Sequence, residues 1–255
     1  MISIVMSYYN RIALLQYTLK TIQKSKYKNF EVVIVDDFSN KENSLQGIKN
    51  EFSDISINLI EMSSLMKVKE YNNPCIPYNV GFRASKGDII LIQNPECCHV
   101  GDVISFAVNH IKENNYLSFH CFACDRNDLT KLHNGETIIY DRQQPSKAKW
   151  YNHREHRPTG YHFCTAISRK NLIKLNGFDE RFAFGHSYDD DEFLQRIKNL
   201  ELNIEFVEDP HVIHQWHGKS FNNPLNPPIR VNNAELHSKL LLEKIIEAPN
   251  KDKIA

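Results

Sequence analysis

Three groups of carboxylates in the sequence have the composition to bind a cation or to move a proton. They are Asp36-Asp37, Asn94-Pro95-Glu96 and Asp189-Asp190-Asp191-Glu192. Hard divalent cations such as Mg²⁺ and Mn²⁺ take carboxylate and carbonyl oxygens as ligands. Crowded carboxylates also raise one another's pKa, which suits a general base. A turn for the first pair and a capped helix start for the acidic run are the plain structural alternatives.

Histidines recur at every third residue in one stretch of the last quarter of the chain. They are His211, His214 and His217, and imidazole binds the same divalent metals as carboxylates do. A single histidine more often has a structural role in the core. Because three histidines are grouped here, a role as metal ligands is as well supported as a structural one. Cys121 and Cys124 also have metal-ligand spacing, but no second pair accompanies them and the spacing fits the two faces of a strand.

Apolar, β-branched runs precede two of the acidic groups and predict the strands that position them. In the first hundred residues the predicted strands are 2–6, 29–35, 55–60 and 89–92. Helical spacing between them predicts βαβ units, a mainly parallel central sheet and helices on both faces. In open α/β sheets, ligands bind at the carboxyl ends of the strands. We therefore expect Asp37 and Glu96 at one rim.

The second half of the chain is predicted to extend the same domain. Strands are expected over 116–124, 161–167 and 204–207, and a helix over 169–175. The polar stretch from Asp125 to Pro158 predicts a long functional loop or a linker. We expect one domain over residues 1–221 and a C-terminal arm over 222–255. The helix of this arm has an apolar stripe that packs on the domain or pairs with a second copy in a homodimer. The stripe consists of Leu236, Leu240, Leu241, Ile245 and Ile246.

The overall composition excludes several classes of protein. The 31 basic and 31 acidic residues cancel, which disfavours nucleic-acid binding. No apolar run approaches the roughly 18 to 20 residues that span a bilayer. The first residues lack the basic region and cleavage site of a signal peptide, and the six cysteines are then expected to be reduced. We expect a cytoplasmic protein, at most peripheral to a membrane.

The order of these elements resembles the family 2 glycosyltransferases. Ser3–Asn10 is similar to the opening strand of that family, and Val33–Ser39 to its nucleotide-binding strand end. Asn79–Asp88 resembles the helix before its metal-binding corner. Leu175–Phe182, followed by Asp189–Phe193, resembles the acceptor-side block that is shared with animal β-galactosyltransferases and chondroitin-type polymerases. The four blocks cover roughly residues 1 to 220.

The resemblance implies a GT-A nucleotide-diphospho-sugar transferase fold and a metal-dependent transfer with Mn²⁺ or Mg²⁺. Glu96 would replace the last carboxylate of the family's Asp-x-Asp motif, while Asn94 departs from it with a neutral oxygen. His214 matches the downstream metal ligand, with His217 as its substitute. Asp190 is the implied base and Asp189 the alternative, since the acidic run aligns ambiguously by one residue.

Donor contacts follow from the same resemblance and from position. Asp37, with Asp36 beside it, would hold the base or the ribose. The full set of expected donor contacts is Asp36, Asp37, Tyr9, Asn10, Arg83 and Asn94. His162 is a further substrate contact to consider.

The leading hypothesis is an inverting glycosyltransferase that moves a sugar from a nucleotide-diphosphate donor, UDP-sugar favoured, to a glycan or other hydroxyl acceptor in polysaccharide or glycan synthesis. Asn94 favours an alternative, a catalytically inactive nucleotide-sugar or glycan-binding module with the same fold. A sugar-phosphate nucleotidyltransferase is disfavoured because Ser7–Arg11 contains no glycine to cradle a triphosphate.

Overall fold

The four N-terminal apolar runs form neighbouring parallel strands. A computed structural model describes residues 1–136, 138, 149–218 and 227–254. In it, β1 (Ile2–Tyr8), β2 (Phe30–Asp36), β3 (Ser56–Glu61) and β4 (Ile89–Gln93) lie in the order β3-β2-β1-β4. All three of these pairings are parallel. The carboxyl ends of β1, β2 and β4 therefore meet at one edge of the sheet.

Helices cover both faces of this parallel part, as the sequence predicts. The connecting helices are α1 (Ile12–Ile22), α2 (Ile48–Glu51), α3 (Met62–Leu65) and α4 (Cys75–Ala84). Alternate residues of β1 point to opposite faces, so Ile4 packs in the same core as α1 and Val5 in the same core as α4. A Cβ on Gly81 would lie 2.5 Å from a methyl group of Val5, so glycine allows α4 to approach β1 closely.

The rest of the chain continues the sheet with mixed strand directions. The further strands are β5 (Cys97–Val100), β6 (Asn115–Ala123), β7 (Trp150–Asn152), β8 (Cys164–Ser168) and β9 (Asn203–His214). The order continues from β4 as β8-β6-β9-β5, and β7 pairs with β6. Only the β6–β9 pair is parallel in this described half. The parallel arrangement predicted for the sheet thus holds for its N-terminal half and for this pair.

The remaining helices flank this half of the sheet. They are α5 (Val103–His110), α6 (Arg126–His133), α7 (Arg169–Leu175), α8 (Asp189–Asn199) and α9 (Asn233–Leu240). None of the helices in the described ranges combines the length and the apolar character needed to cross a bilayer.

Three sequence-based expectations are corrected. The region 125–158 is not simply a loop, because α6 and β7 lie within its described residues. Asp125 begins α6 with a reciprocal capping box, a local signal that the polar composition concealed. β5 was not predicted, and β9 continues well beyond Val207.

The described part of the C-terminal arm lies against the domain. Leu236 and Leu240 pack on the core beside α8, whereas Leu241, Leu242 and Ile246 stay exposed. The apolar stripe is therefore divided between packing and solvent.

Candidate active site

A polar cleft lies at the edge of the sheet where β1, β2 and β4 end. Its volume is about 250 Å³. The charged and polar side chains that line it include Tyr9, Arg11, Asp37, Lys69, Asn94 and Glu96. Parallel strands deliver their carboxyl ends to one rim, so this location agrees with the expectation for Asp37 and Glu96.

Glu96 is the centre of a buried group of potential ligands. Its Oε1 lies 3.3 Å from His214 Nε2, 3.2 Å from His217 Nε2 and 2.9 Å from an Arg11 guanidinium nitrogen. One ligand atom from each of Glu96, His214 and His217 lies within 4.8 Å of the others. Among the described residues, Oε2 of Glu96 is buried and has no hydrogen-bond partner.

Strand pairing holds these residues together across more than a hundred positions of sequence. Glu96 lies in the tight turn between β4 and β5, and β5 pairs antiparallel with β9 so that Cys97 faces His214. Gln215, fully buried, then donates its backbone N–H to Glu96 O at 3.0 Å. Its side-chain amide donates to Leu14 O at 3.0 Å and thereby connects the group to α1.

Charge around Glu96 keeps its carboxyl ionised. Burial by itself raises the pKa of this group, but the hydrogen bonds from His214 and His217 and the charge of Arg11 outweigh it. The pKa of Glu96 is therefore well below its usual range. An ionised carboxylate beside two imidazoles is a donor set that suits Mn²⁺ and related divalent metals.

Asp37 is buried in the wall of the cleft. Its carboxylate accepts hydrogen bonds of 2.6 Å from both Lys69 Nζ and Tyr71 Oη. Burial raises the pKa of Asp37, and the charge of Lys69 opposes that rise. Lys69 Nζ also lies 4.9 Å from the centre of the Tyr9 ring, so Asp37 holds a cation against the cleft wall beside an aromatic face.

The other expected donor contacts differ in their positions. Asn94 lines the cleft, and its Oδ1 accepts a hydrogen bond of 3.0 Å from Tyr78. Asp36 instead closes a turn by accepting the backbone N–H of Ser39 at 3.0 Å. Asn10 joins the same turn, because its Oδ1 accepts the backbone N–H of Asn40 at 2.8 Å.

Arg83 lies outside the residues that line the cleft. Its guanidinium is 3.9 Å from Glu180 and donates to Asp252 O at 3.4 Å. Arg83 is in the last turn of α4, whereas the cleft is lined by Pro74 and Tyr78 at the other end of that helix. This position disfavours the diphosphate contact that was expected for Arg83.

Asp189 and Asp190 begin α8 and face a histidine. Asp190 Oδ1 is 2.5 Å from His162 Nδ1, and each of His162, Asp189 and Asp190 has a ligand atom within 4.8 Å of the others. Asp189 is buried and accepts a hydrogen bond of 2.7 Å from Asn73. Burial and the neighbouring Asp190 raise the pKa of Asp189 to about 6.

Two contacts connect this acidic pair to the cleft. Asn73, the partner of Asp189, lies between Asn72 and Pro74, which both line the cleft. The His162 ring packs edge-on against Tyr78, another lining residue, with ring centres 5.1 Å apart. The three acidic groups that the sequence singled out thus lie in or directly beside one cleft.

Sequence reasoning missed the cations of this cleft. Arg11 lies between β1 and α1, and Lys69 lies between α3 and α4; neither belongs to a motif by itself. Their signal was positional, since each comes between a predicted strand and the helix that follows it. His211 was considered with the other histidines, but it is paired in β9 with Val100 and lies 3.7 Å from Asp209.

The comparisons with known proteins identify two matching families. The sequence profile "Glycosyl transferase family 2" matches residues 3–175. A second profile, "N-terminal domain of galactosyltransferase", matches residues 149–217. A comparison with curated proteins finds no match.

Similar solved structures support the same assignment of fold. The mannosyltransferase PcManGT from Pyrobaculum calidifontis, in complex with GDP-Man and Mn²⁺, has a TM-score of 0.60 at 18% identity. That match covers 86% of this chain and 58% of that chain. Residues 1–349 of S. aureus TarS in complex with UDP-GlcNAc give a TM-score of 0.66 at 16% identity, over 98% of this chain and 68% of that chain.

These matches concern parts of longer chains. Another crystal structure of S. aureus TarS has a TM-score of 0.64 at 14% identity, and 40% of that chain is covered. At such identities the likeness shows the fold, and the predicted GT-A architecture is confirmed. The family profile covers more than half of this sequence and includes β1, β2, β4 and Glu96. The chain therefore belongs to glycosyl transferase family 2.

Proposed function

We propose that this protein transfers a sugar from a nucleoside diphosphate donor, with UDP-sugars favoured, to a hydroxyl group of a glycan acceptor, with inversion at the anomeric carbon. The observation that carries the proposal is the meeting of Glu96, His214 and His217 at the rim where Asp37 also lies. Such a transfer would take part in the synthesis of a polysaccharide or another glycan.

Glu96, His214 and His217 would hold Mn²⁺ or Mg²⁺. The unpartnered, buried Oε2 of Glu96 fits this role, because a buried carboxylate oxygen normally has a partner. When bound, a divalent cation neutralises the charge that develops on the leaving diphosphate. Arg11 lines the same cleft beside Glu96 and would place a further positive charge near the donor phosphates.

The donor nucleoside would lie toward Asp37. Tyr9 offers an aromatic face there, and Lys69 offers a cation that Asp37 orients. Asp37 would act through Lys69 and Tyr71 as well as directly, since its carboxylate accepts from both. Asn94 also lines the cleft and would contact the donor there. Its Oδ1 already accepts a hydrogen bond from Tyr78.

Asp190 would take the proton of the acceptor hydroxyl, with Asp189 as the alternative. As the hydroxyl oxygen forms its bond to the sugar C1, the C1–O bond to the diphosphate breaks and the electron pair leaves with the nucleotide. The base assists this attack by accepting the proton, and attack opposite the leaving group inverts the anomeric centre. NMR of the first-formed product checks this, and a retained anomer would remove Asp190 from the role of base.

Thermal stability measures donor and metal binding independently of turnover. UDP, GDP, CDP and dTDP are each added with Mn²⁺, and the preferred nucleotide at about 100 times its Kd should add about 2.7 kcal/mol of stability. Glu96→Ala and His214→Ala should each abolish the part of this stabilisation that depends on Mn²⁺, because each substitution removes a proposed metal ligand. His110→Ala, an exposed histidine on α5, serves as the matched control.

A full shift in both ligand variants would contradict the proposed metal site. The same protein preparations are then incubated with a panel of nucleotide sugars and candidate acceptors, with and without Mn²⁺. Binding without any hydrolysis or transfer would favour the alternative, a nucleotide-sugar or glycan-binding module with this fold.

A further inference from the structure

His162 contacts one oxygen of Asp190 through both its backbone and its ring. Its backbone N–H donates to Asp190 Oδ1 at 3.0 Å, and its imidazole Nδ1 lies 2.5 Å from the same oxygen as an ion pair. Within the described ranges no such contact reaches Oδ2 of Asp190. One carboxylate oxygen is thus fixed by a single residue, while the other is left for a substrate.

The environment of His162 keeps its ring in one orientation. The side chain is buried, and the ring packs edge-on against Tyr78 and Phe178 at centre distances of 5.1 and 4.9 Å. The residue belongs to the segment that leads into β8, whereas Asp190 belongs to α8. His162 therefore connects the start of α8 to the central sheet at the position of Asp190.

We propose that His162 is a positioning residue for Asp190. His162 holds Oδ1 of Asp190, so that Oδ2 receives the proton of the acceptor hydroxyl. This inference rests on the proposed transfer. Nδ1 lies within ion-pair distance of Oδ1 of Asp190, so the protonated imidazole would stabilise the ionised carboxylate before attack. In the step itself, the acceptor O–H bond breaks and the proton moves to Oδ2. The acceptor oxygen forms its bond to the sugar C1 while the C1–O bond to the diphosphate breaks, and that electron pair leaves with the nucleotide.

The titratable groups around His162 and Asp190 are two further carboxylates and three tyrosines. Burial lowers the pKa of His162, but the charge and hydrogen bonding of Asp190 outweigh it and raise the pKa above its ordinary value. Burial also raises the pKa of each of the neighbouring tyrosines, which are therefore uncharged at neutral pH. The groups that face the pair are Tyr78 on α4, Tyr116 on β6, Tyr161 before β8, and Asp189 and Asp191 on α8.

Two substitutions separate the polar contact of the ring from its packing. His162→Phe keeps an aromatic ring between Tyr78 and Phe178 but removes the imidazole N–H. His162→Asn removes the ring but retains an N–H donor near the position of Nδ1. If His162 acts through its ring nitrogen, the Phe variant loses kcat by about 10- to 100-fold, the range expected for one charged hydrogen bond, while the Asn variant keeps most of it.

The Michaelis constant and the pH profile provide readouts that packing would not move. The KM for the donor should change little in either variant, because His162 faces α8 and not the Glu96 group. The acidic limb of the kcat profile should move to higher pH in His162→Phe, because the donor that favours the ionised carboxylate is lost. His162→Asn should restore that limb. An unchanged kcat and limb in His162→Phe would overturn the proposal.

NMR titration of the His162 ring tests the pairing without turnover. Asp190→Asn should lower the pKa of His162 more than Asp189→Asn does, because Asp190 is the acid that is paired with Nδ1. An equal or larger effect of Asp189→Asn would overturn the pairing. Absence of transfer by the wild-type protein would instead refute the proposed function, and the titration would still report whether the pair exists.

Discussion

At the scale of residues, the two acids at the start of α8 have different environments although they are adjacent in sequence. Asp189 is buried against Asn73, whereas Asp190 is partly exposed beside His162. Burial and the charge of Asp190 raise the pKa of Asp189 to about 6. Neighbouring acids with unlike environments can divide two roles between them, and the more exposed acid here, Asp190, is the one that we propose as the base.

Asp189→Asn should stabilise the protein at pH 8 by about 2–3 kcal/mol. An acid whose pKa is higher in the folded state contributes stability below its ordinary pKa of 3.8 and loses it as pH rises through about 6. Asparagine mimics the protonated form at every pH and retains the acceptor for Asn73. Urea unfolding at pH 8 and at pH 4.5 measures the difference, which should be much smaller at the lower pH.

Asp191→Asn is the matched control for this comparison. Asp191 lies two residues after Asp189 on α8 and is partly exposed. It accepts a hydrogen bond of 2.6 Å from Tyr161. Because its side chain is partly exposed, replacing it relieves little burial of charge. A gain for Asp189→Asn that is equal at the two pH values would contradict the burial argument.

At the scale of elements, local patterns predicted most of the N-terminal half and less of the remainder. The runs that became β1, β2, β3 and β4 are apolar in the way that central strands require, and the acids that follow β2 and β4 lie at the shared rim. β5 was missed because the four residues Cys97–Val100 are too few to show a period and directly follow the turn at Pro95 and Glu96. Their strand depends on pairing with β9, which lies more than a hundred residues away.

Pairing partners that are distant in sequence also explain which site residues were predicted. Glu96 and His214 were predicted because their types suit a metal and because they match ligand positions of the resembling family. Asp190 was predicted from its acidic neighbours and the same resemblance. Arg11, Lys69 and Gln215 have no such signature, and their roles depend on which loops the sheet brings together. Arg83 was expected at the cleft because of its charge. It lies in the last turn of α4, however, and the cleft is lined by residues at the start of that helix.

At the scale of the whole molecule, the C-terminal segment is bonded to the loop that joins α7 to α8. Asn250 donates its side-chain amide to Asn176 O at 2.8 Å and to Phe178 O at 2.7 Å. Asn176 in turn donates to Ala248 O at 2.8 Å and accepts the backbone N–H of Ile254 at 3.0 Å. The side chain of Ile254 is buried in the core beside α8, so this segment braces the helix that carries Asp190.

Truncation after Glu247 should lower the free energy of unfolding by about 3–6 kcal/mol. It removes the buried side chain of Ile254 and takes away the hydrogen-bond partners of Asn176 and of the Glu180 backbone N–H. Each such unpartnered group costs about 1–3 kcal/mol. Denaturant unfolding monitored by circular dichroism measures the change. Lys251→Ala, which alters an exposed side chain of the same segment, should leave stability unchanged, and an equally stable truncated chain would show that the segment does not brace the fold.

The antiparallel pairing of β5 with β9 makes strand length a design constraint on the Glu96 site. Adding or deleting one residue between Cys97 and Val100 would slip the ladder and turn alternate side chains to the opposite face. Glu96, which directly precedes β5, would then shift relative to His214, because β9 keeps its own register through pairing with β6. The site would be lost even though every ligand was still present in the sequence. Engineering of this protein can therefore vary the chemistry of β5 more freely than its residue count.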